Sequence, residues 1–249
     1  MKLTVIGPGR AGTAIHQHAC HAGLASTLAR TVAADSDVIL IAVPDPVVAE
    51  VAQAIPLGPL VGMLSGSLPL SSLAPHPRAF VLHPMQTIQA DRTDLQLTNC
   101  VAGITATDAA TAVTANELAL RLGMNPVPVA EDVRPLPHIA SIFASNLILP
   151  ALVSAMQVLA AAGIDAQREA ILAPLVRRAL DNALKDGVTA PATGPVARGD
   201  LATVRQHRRR LSLLNPQIDR AYVLLSTALL PLVSNDAAAS VAPALGPEA

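Results

Sequence analysis

Near the start of the chain, Gly7-Pro8-Gly9-Arg10-Ala11-Gly12 has the spacing of a turn that receives a diphosphate. It follows an apolar run at residues 3–6 and leads directly into a helix-compatible stretch. In a strand, turn and helix of that kind, the first glycine lets the chain reverse and the second lets a ligand approach the backbone. The third lets the helix pack on the strand, and free N–H groups at the helix start face the phosphates. These residue types point to a dinucleotide; a tight turn of purely structural purpose is the other reading.

The next chemistry lies at the end of the second strand. A site for NAD ordinarily places a carboxylate there to accept from the ribose 2′-OH. No Asp or Glu occurs before Asp35, and Arg30-Thr31 stands in that place. A guanidinium beside a hydroxyl suits a 2′-phosphate, so NADP is expected over NAD. Only eight residues separate Arg30 from Ile39, so the helix that usually links these strands is absent or reduced to a turn. At the end of the third strand, Val43 and Pro44 are placed to line the nicotinamide ribose, because ligands sit at the carboxyl ends of parallel strands.

Further polar residues gather in four places. Ser65-Gly66-Ser67 and His83-Pro84-Met85-Gln86-Thr87 each follow a strand. His138, Ser141, Ser145 and Asn146 fall at i, i+3, i+7 and i+8 of a helix otherwise apolar all round, a pattern expected of a helix buried in protein with one polar stripe. Pro150 lacks the N–H that would bond the carbonyl of residue 146, so a kink is expected there. Thr193-Gly194-Pro195-Val196-Ala197-Arg198-Gly199-Asp200 reads as a glycine-rich loop, with Arg198 either clamping a carboxylate or paired to an acid.

The elements that must position these groups are legible from periodicity. Strands are expected at 3–6, 26–29, 38–43, 60–64, 79–82, 100–105 and 127–129, alternating with helices, as in a mostly parallel sheet. Asp45 before Pro46 reads as the cap of a helix over 46–54, and Thr107 as the start of one that Gly123 closes. Past three prolines between Pro128 and Pro137 the pattern turns helical, at 136–162, 165–185, 201–211 and 216–233. The expected architecture is therefore a Rossmann-like α/β domain over 1–132, an all-α domain over 133–234, and a disordered tail over 235–249 rich in Ala and Pro.

Composition excludes several classes. A net charge of −1 with 14% charged residues leaves no basic footprint for nucleic acid, and Arg208-Arg209-Arg210 reads as a solvated helix face. Cys20 and Cys100 lack metal or disulfide spacing, and His16, His18 and His21 have no carboxylate or thiol beside them, so no metal site is expected. No leader-like segment follows Met1, which suggests a cytoplasmic protein. Residues 135–164 carry no charged side chain and are long enough for a bilayer, but the polar stripe argues against a membrane span.

Taken together, GPGRAGT, DVILIAVPD, LSGSLPLSSL, LHPMQT, HIASIFASN and TGPVARGD, in that order, resemble a family of predicted NAD(P)-dependent oxidoreductases. That family has a Rossmann-like N-terminal domain and a helical C-terminal domain of unassigned function. It is similar in layout to ketopantoate reductases, pyrroline-5-carboxylate reductases and β-hydroxyacid dehydrogenases, and its helical half resembles the C-terminal domain of 6-phosphogluconate dehydrogenase. The resemblance implies hydride transfer to a small 2-oxo acid, ketopantoate-like, or to a cyclic imine, by a homodimer paired through the helical domain.

Such a reduction needs a proton donor and an anchor for the substrate. His138 and His83 are the candidate donors, and Asn146 the residue that orients the substrate. Ser65, Gly66, Gln86, Ser145 and Arg198 are the candidate substrate contacts. The related dehydrogenases carry a lysine four residues before the asparagine; here that position is Ile142, so a lysine acid is excluded. The shortened segment after Arg30 keeps two other readings open, a non-catalytic nucleotide-binding and dimerisation module and an oxidoreductase using the deazaflavin F420.

Overall fold

Alternating apolar strands buried on both sides account for the first half of the computed structural model, which describes residues 1–31, 35–92, 94–188 and 193–246. Seven strands form one sheet in the order β2-β1-β3-β4-β5-β6-β7. They are β1 Lys2–Ile6, β2 Ala25–Ala29, β3 Val38–Ile41, β4 Leu60–Met63, β5 Ala79–Pro84, β6 Val101–Ala106 and β7 Asn125–Pro128. All neighbours run parallel except β5 and β6. Every expected strand is present, and Rossmann-like α/β is the observed class.

The period of two sorts the core into layers. Leu3, Val5, Leu40, Phe80 and Leu82 point to the face covered by α1 (Arg10–His21) and α3 (Ala109–Arg121). Ile6, Ile39, Ile41, Met63 and Val81 point to the other, with Val48 and Ala52 of α2 (Val48–Ala54). The chain between β2 and β3 has no helix among its described residues, as the short spacing predicts. The caps differ from expectation. Asp108, not Thr107, caps α3 by accepting from the Thr111 N–H at 2.9 Å, and Asp45 opens a short 3-10 turn without capping it.

The long apolar segment breaks where Pro150 predicts. Helix α4 spans Pro135–Ala144, a 3-10 turn covers Asn146–Ile148, and α5 spans Leu149–Ala161. The stretch Glu131–Ala161 is long and apolar enough to span a bilayer by length and composition. It is not a buried core helix, however: neither α4 nor α5 has a buried residue, and Phe143 is 65% exposed. The inward-facing stripe is thus corrected. Ser141 and Ser145 direct their hydroxyls back to the carbonyls of Pro137 and Ser141, at 2.9 and 2.6 Å.

The chain divides into two compact units, Met1–Asn146 and Leu147–Ala249, so the break lies past the expected boundary at 132–133. The reason is a set of polar ties. Arg134 donates to the carbonyls of Ser65 and Leu68, and Glu131 accepts from the Leu70 N–H at 2.8 Å, fastening the start of α4 to the loop after β4.

The second unit contains α5, α6 (Arg168–Asp186), α7 (Gly194–Ala197), α8 (Leu201–Leu214), α9 (Pro216–Leu229) and α10 (Asn235–Val241). Two expectations change here. The tail is ordered through residue 246, since Val241, Ala244 and Leu245 pack on Val196 and Val204; residues 247–249 lie outside the described set. The i, i+4 pair Ala237 and Val241, both buried, supplies the helical face that composition concealed. Arg208 is likewise no solvated residue. It makes a two-pronged ion pair with Asp219, at 3.2 and 3.0 Å, and donates to the carbonyls of Ala244 and Gly246.

His18, read as a ligand candidate and set aside, joins α1 to the chain around α3. Its Nδ1 donates to the Leu122 carbonyl at 2.7 Å and its Nε2 accepts from the Leu97 N–H at 3.0 Å. Burial lowers its pKa from the ordinary imidazole value.

Two stability predictions follow from these buried polar groups. Because the folded pKa of His18 is lowered, its contribution is complete above about pH 6.5 and is lost as pH falls below that. Urea unfolding of a His18→Gln chain, whose amide can both donate and accept, should show a flatter pH dependence below 6.5; an unchanged slope would exclude His18 as its source. Arg208→Ala leaves Asp219 buried without its cation and should destabilise the chain by about 3 kcal/mol in the same measurement. A loss under about 1 kcal/mol would match an exposed pair instead.

Candidate active site

The carboxyl edge of the parallel strands is stitched together by hydrogen bonds that run from one strand end to the next. The Gly7 N–H donates to the Ala29 carbonyl at 2.9 Å, Ala42 to Ile6 at 2.7 Å, and Leu64 to Ile41 at 3.2 Å. His83 Nδ1, in β5, continues the series to the Leu64 carbonyl at 3.0 Å. The order β2-β1-β3-β4-β5 thus lines up Arg30, the glycine turn, Val43-Pro44, the Ser65-Gly66-Ser67 loop and His83 along one edge. Strand spacing puts His83 on the order of 14 Å from the glycine turn.

Connections reverse between β1 and β3, which makes that gap the topological switch point where open α/β sheets bind ligands. The glycines fit the close quarters there. Gly7 has φ +114°, and a Cβ on it would lie 2.4 Å from the Ala42 oxygen; one on Gly12 would lie 2.0 Å from the Gly7 oxygen. Gly9, the N-cap of α1, differs: a Cβ there would meet nothing within 4 Å. No side chain caps the first turn of α1 and no acid stands in it. Among the described residues no side chain therefore occupies its orphan N–H groups; Pro8 and Arg10 beside them are exposed and Ala11 is half-buried. Arg30 and Thr31 are exposed just past β2, and Pro44 is exposed beside half-buried Val43.

The second cluster brings together His83, His138 and Gly66. The two imidazoles meet edge to face, with centroids 5.2 Å apart. A Cβ on Gly66 would lie 2.8 Å from the His83 ring and 3.0 Å from His138 Cβ, so only glycine fits between them. Since Nδ1 bonds a carbonyl, it carries the ring hydrogen, and Nε2 is a bare lone pair, buried without a partner. Burial lowers the His83 pKa, with the nearby His138 and Arg134 adding to it; the hydrogen bond that Nδ1 donates to the Leu64 carbonyl raises it, as does the Asp45 carboxylate. His83 is therefore a neutral, inward-facing ring. A ring in that state has no proton on Nε2 to give, which counts against His83 as the donor; His138, half-buried like His83, packs on its edge.

Other candidates take supporting or separate positions. The Ser65 hydroxyl donates to Asp45 Oδ2 at 3.1 Å and accepts from the Ser67 and Leu68 N–H groups, so it organises its loop. Ser67 donates to the same carboxylate at 2.9 Å. Exposed Gln86 folds onto its own neighbour, its Oε1 accepting from the Thr87 N–H at 2.9 Å. The Ser145 hydroxyl, which donates to the Ser141 carbonyl, also lies 2.8 Å from the Asn146 side-chain amide. Arg198 is exposed in the second unit; its neighbour Asp200 caps α8 through Thr203.

Sequence reasoning missed Asp45 and Arg134 as parts of this site. Asp45 was read as a helix cap. Arg134, 5% exposed, drew no attention between prolines, and only its i, i+4 relation to His138 hinted at a shared helix face. No group of three metal-ligating side chains occurs among the described residues.

Comparisons place this geometry among known folds. Protein BF3122 from Bacteroides fragilis, for which an NADP oxidoreductase activity is proposed, matches with a TM-score of 0.78 at 18% identity, over 92% of this chain and 97% of that one. A reductive aminase from Aspergillus terreus, solved with NADPH and ethyl-5-oxohexanoate, matches with a TM-score of 0.68 at 17% identity, over 97% of this chain and 98% of its own. The pyrroline carboxylate reductase of Plasmodium falciparum, solved with NADP, matches with a TM-score of 0.58 at 11% identity, covering 92% of this chain and 98% of that one. At such identities the likeness is one of fold. No curated protein matches the sequence. The model of a domain of unknown function, DUF2520, matches residues 100–229, from just before β6 through α9, and the chain belongs to the DUF2520 family.

Proposed function

We propose that this chain is an NADP-preferring reductase of a C=O or C=N group in a small molecule, a ketopantoate-like 2-oxo acid or a cyclic imine. The observation that carries the reading is the unblocked turn at Gly9, on the switch point between β1 and β3. Its free amides and the positive end of α1 suit a diphosphate. Arg30 and Thr31, one strand away, suit a 2′-phosphate, and Val43-Pro44 forms an apolar rest for a nicotinamide ribose. The ligands with which the reductive aminase and the pyrroline carboxylate reductase were solved, NADPH and NADP, support the same choice.

Bound there, a nicotinamide supplies the hydride. The remaining work falls to side chains: His138 holds the proton for the nascent alkoxide or amine. His83 and Gly66 give that ring a firm backing, and Asn146 offers its amide N–H to orient the substrate. The loop after β4, with Ser65 locked by Asp45, sets the floor beneath.

The helical unit supports pairing of two copies. Leu175, Leu184, Leu224 and Leu225 are each more than half exposed, while the buried core of that unit is small. Light scattering should find a dimer. Leu224→Glu combined with Leu225→Glu should shift it towards monomer, and a wild-type monomer at micromolar concentration would refute the pairing.

Two substitutions separate fold from binding. Gly12→Ala should destabilise the chain, because its Cβ collides with backbone, whereas Gly9→Ala should leave the melting temperature unchanged and weaken NADPH binding at least about tenfold. Calorimetry should also show Arg30→Ala losing about tenfold for NADPH with little change for NADH. Absence of binding for both nucleotides would favour a non-catalytic module. Binding without oxidation of NADPH against any 2-oxo acid or imine would overturn the reductase assignment.

A further inference from the structure

We propose that Arg134 is a positioning residue, a clamp that fastens the 65–68 loop to the start of α4 and so keeps Gly66 and His138 seated on the His83 ring. The proposal rests on the reading of this cluster as the proton-handling part of a reductase site. Its guanidinium is 5% exposed and spends its donors in three directions. Nε meets the Glu131 carboxylate at 3.3 Å, Nη1 the Ser65 carbonyl at 3.2 Å, and Nη2 the Leu68 carbonyl. The two carbonyls bracket Gly66 and Ser67. Glu131 completes the clamp from the other side, because its second oxygen accepts from the Leu70 N–H at 2.8 Å.

The geometry explains why a buried charge belongs here. Arg134 and His138 are four residues apart, so they lie on one face of the opening turn of α4, and both bear on the same loop. Gly66 leaves no slack: the spaces beside its Cα are filled by the two histidine side chains. Releasing the loop would open the gap between Gly66 and His83 and let His138 swing away. A lysine cannot replace the fork, since a single ammonium cannot reach both carbonyls and the carboxylate in fixed directions. Asp45 holds the loop from its serine side, and with Arg134 and His138 it makes up the charged or titratable surroundings of His83.

The test uses the full chain and its holoenzyme. Imidazole proton resonances of His83 and His138, assigned by His83→Gln and His138→Gln, are titrated in wild type, Arg134→Lys and Arg134→Gln, and the urea midpoints are measured alongside. The clamp predicts that in both variants the His83 midpoint rises by about half a pH unit or more, as water enters beneath Gly66. It also predicts that kcat falls about tenfold or more while KM for NADPH changes little. A His83 midpoint and a kcat both unchanged in folded variants would overturn it. If the arginine variants do not fold, Glu131→Gln decides, since its amide oxygen still accepts from Leu70 but the counter-charge is gone. It should move the His83 midpoint, and an unmoved midpoint there counts against the clamp. Should wild type reduce nothing, the titrations still judge the clamp while the reductase reading alone fails.

Discussion

The approach of the first turn to the end of β3 is the constraint on which the site depends. Gly7 lies against the Ala42 carbonyl, and Gly12 lies against Gly7, with no room for a Cβ at either place. That contact draws β1, β3 and the start of α1 into one corner and exposes the first-turn amides. The sheet reverses direction of winding at the same corner, the position at which open α/β sheets bind ligands. Any side chain at residue 7 or 12 would spread the corner.

Buried arginines solve two problems of connection in similar terms. Arg134 and Arg208 each direct their donors at two backbone carbonyls and one carboxylate, so neither charge is left uncompensated in a low-dielectric setting. In each case the carbonyls belong to a segment that also packs apolar side chains, Leu68 and Leu70 after β4 or Ala244 and Leu245 at the end of the chain, and a fork of directed hydrogen bonds adds to that burial.

The histidines show how environment divides one residue type into different tasks. His18 is a neutral cross-link with both nitrogens engaged. His83 has one nitrogen engaged and one buried without a partner, and its charge is suppressed by desolvation and by positive neighbours. His138 packs edge to face on that neutral ring, with centroids 5.2 Å apart.

Sequence by itself determined the strands, the mostly parallel sheet, the glycine turn and the break ahead of Pro150. These follow from local rules: alternation buried on both faces, residues that alone permit a tight approach, and a proline that withholds a hydrogen bond. Tertiary structure decided the rest. That Arg208 is ion-paired and half-buried, that the tail is helical through Val241, that Asp45 serves two serines and not a helix, and that His83 Nε2 is buried all depend on partners from distant parts of the chain. A side chain's exposure, tautomer and charge are set by what packs around it, and no spacing along the chain records that surrounding.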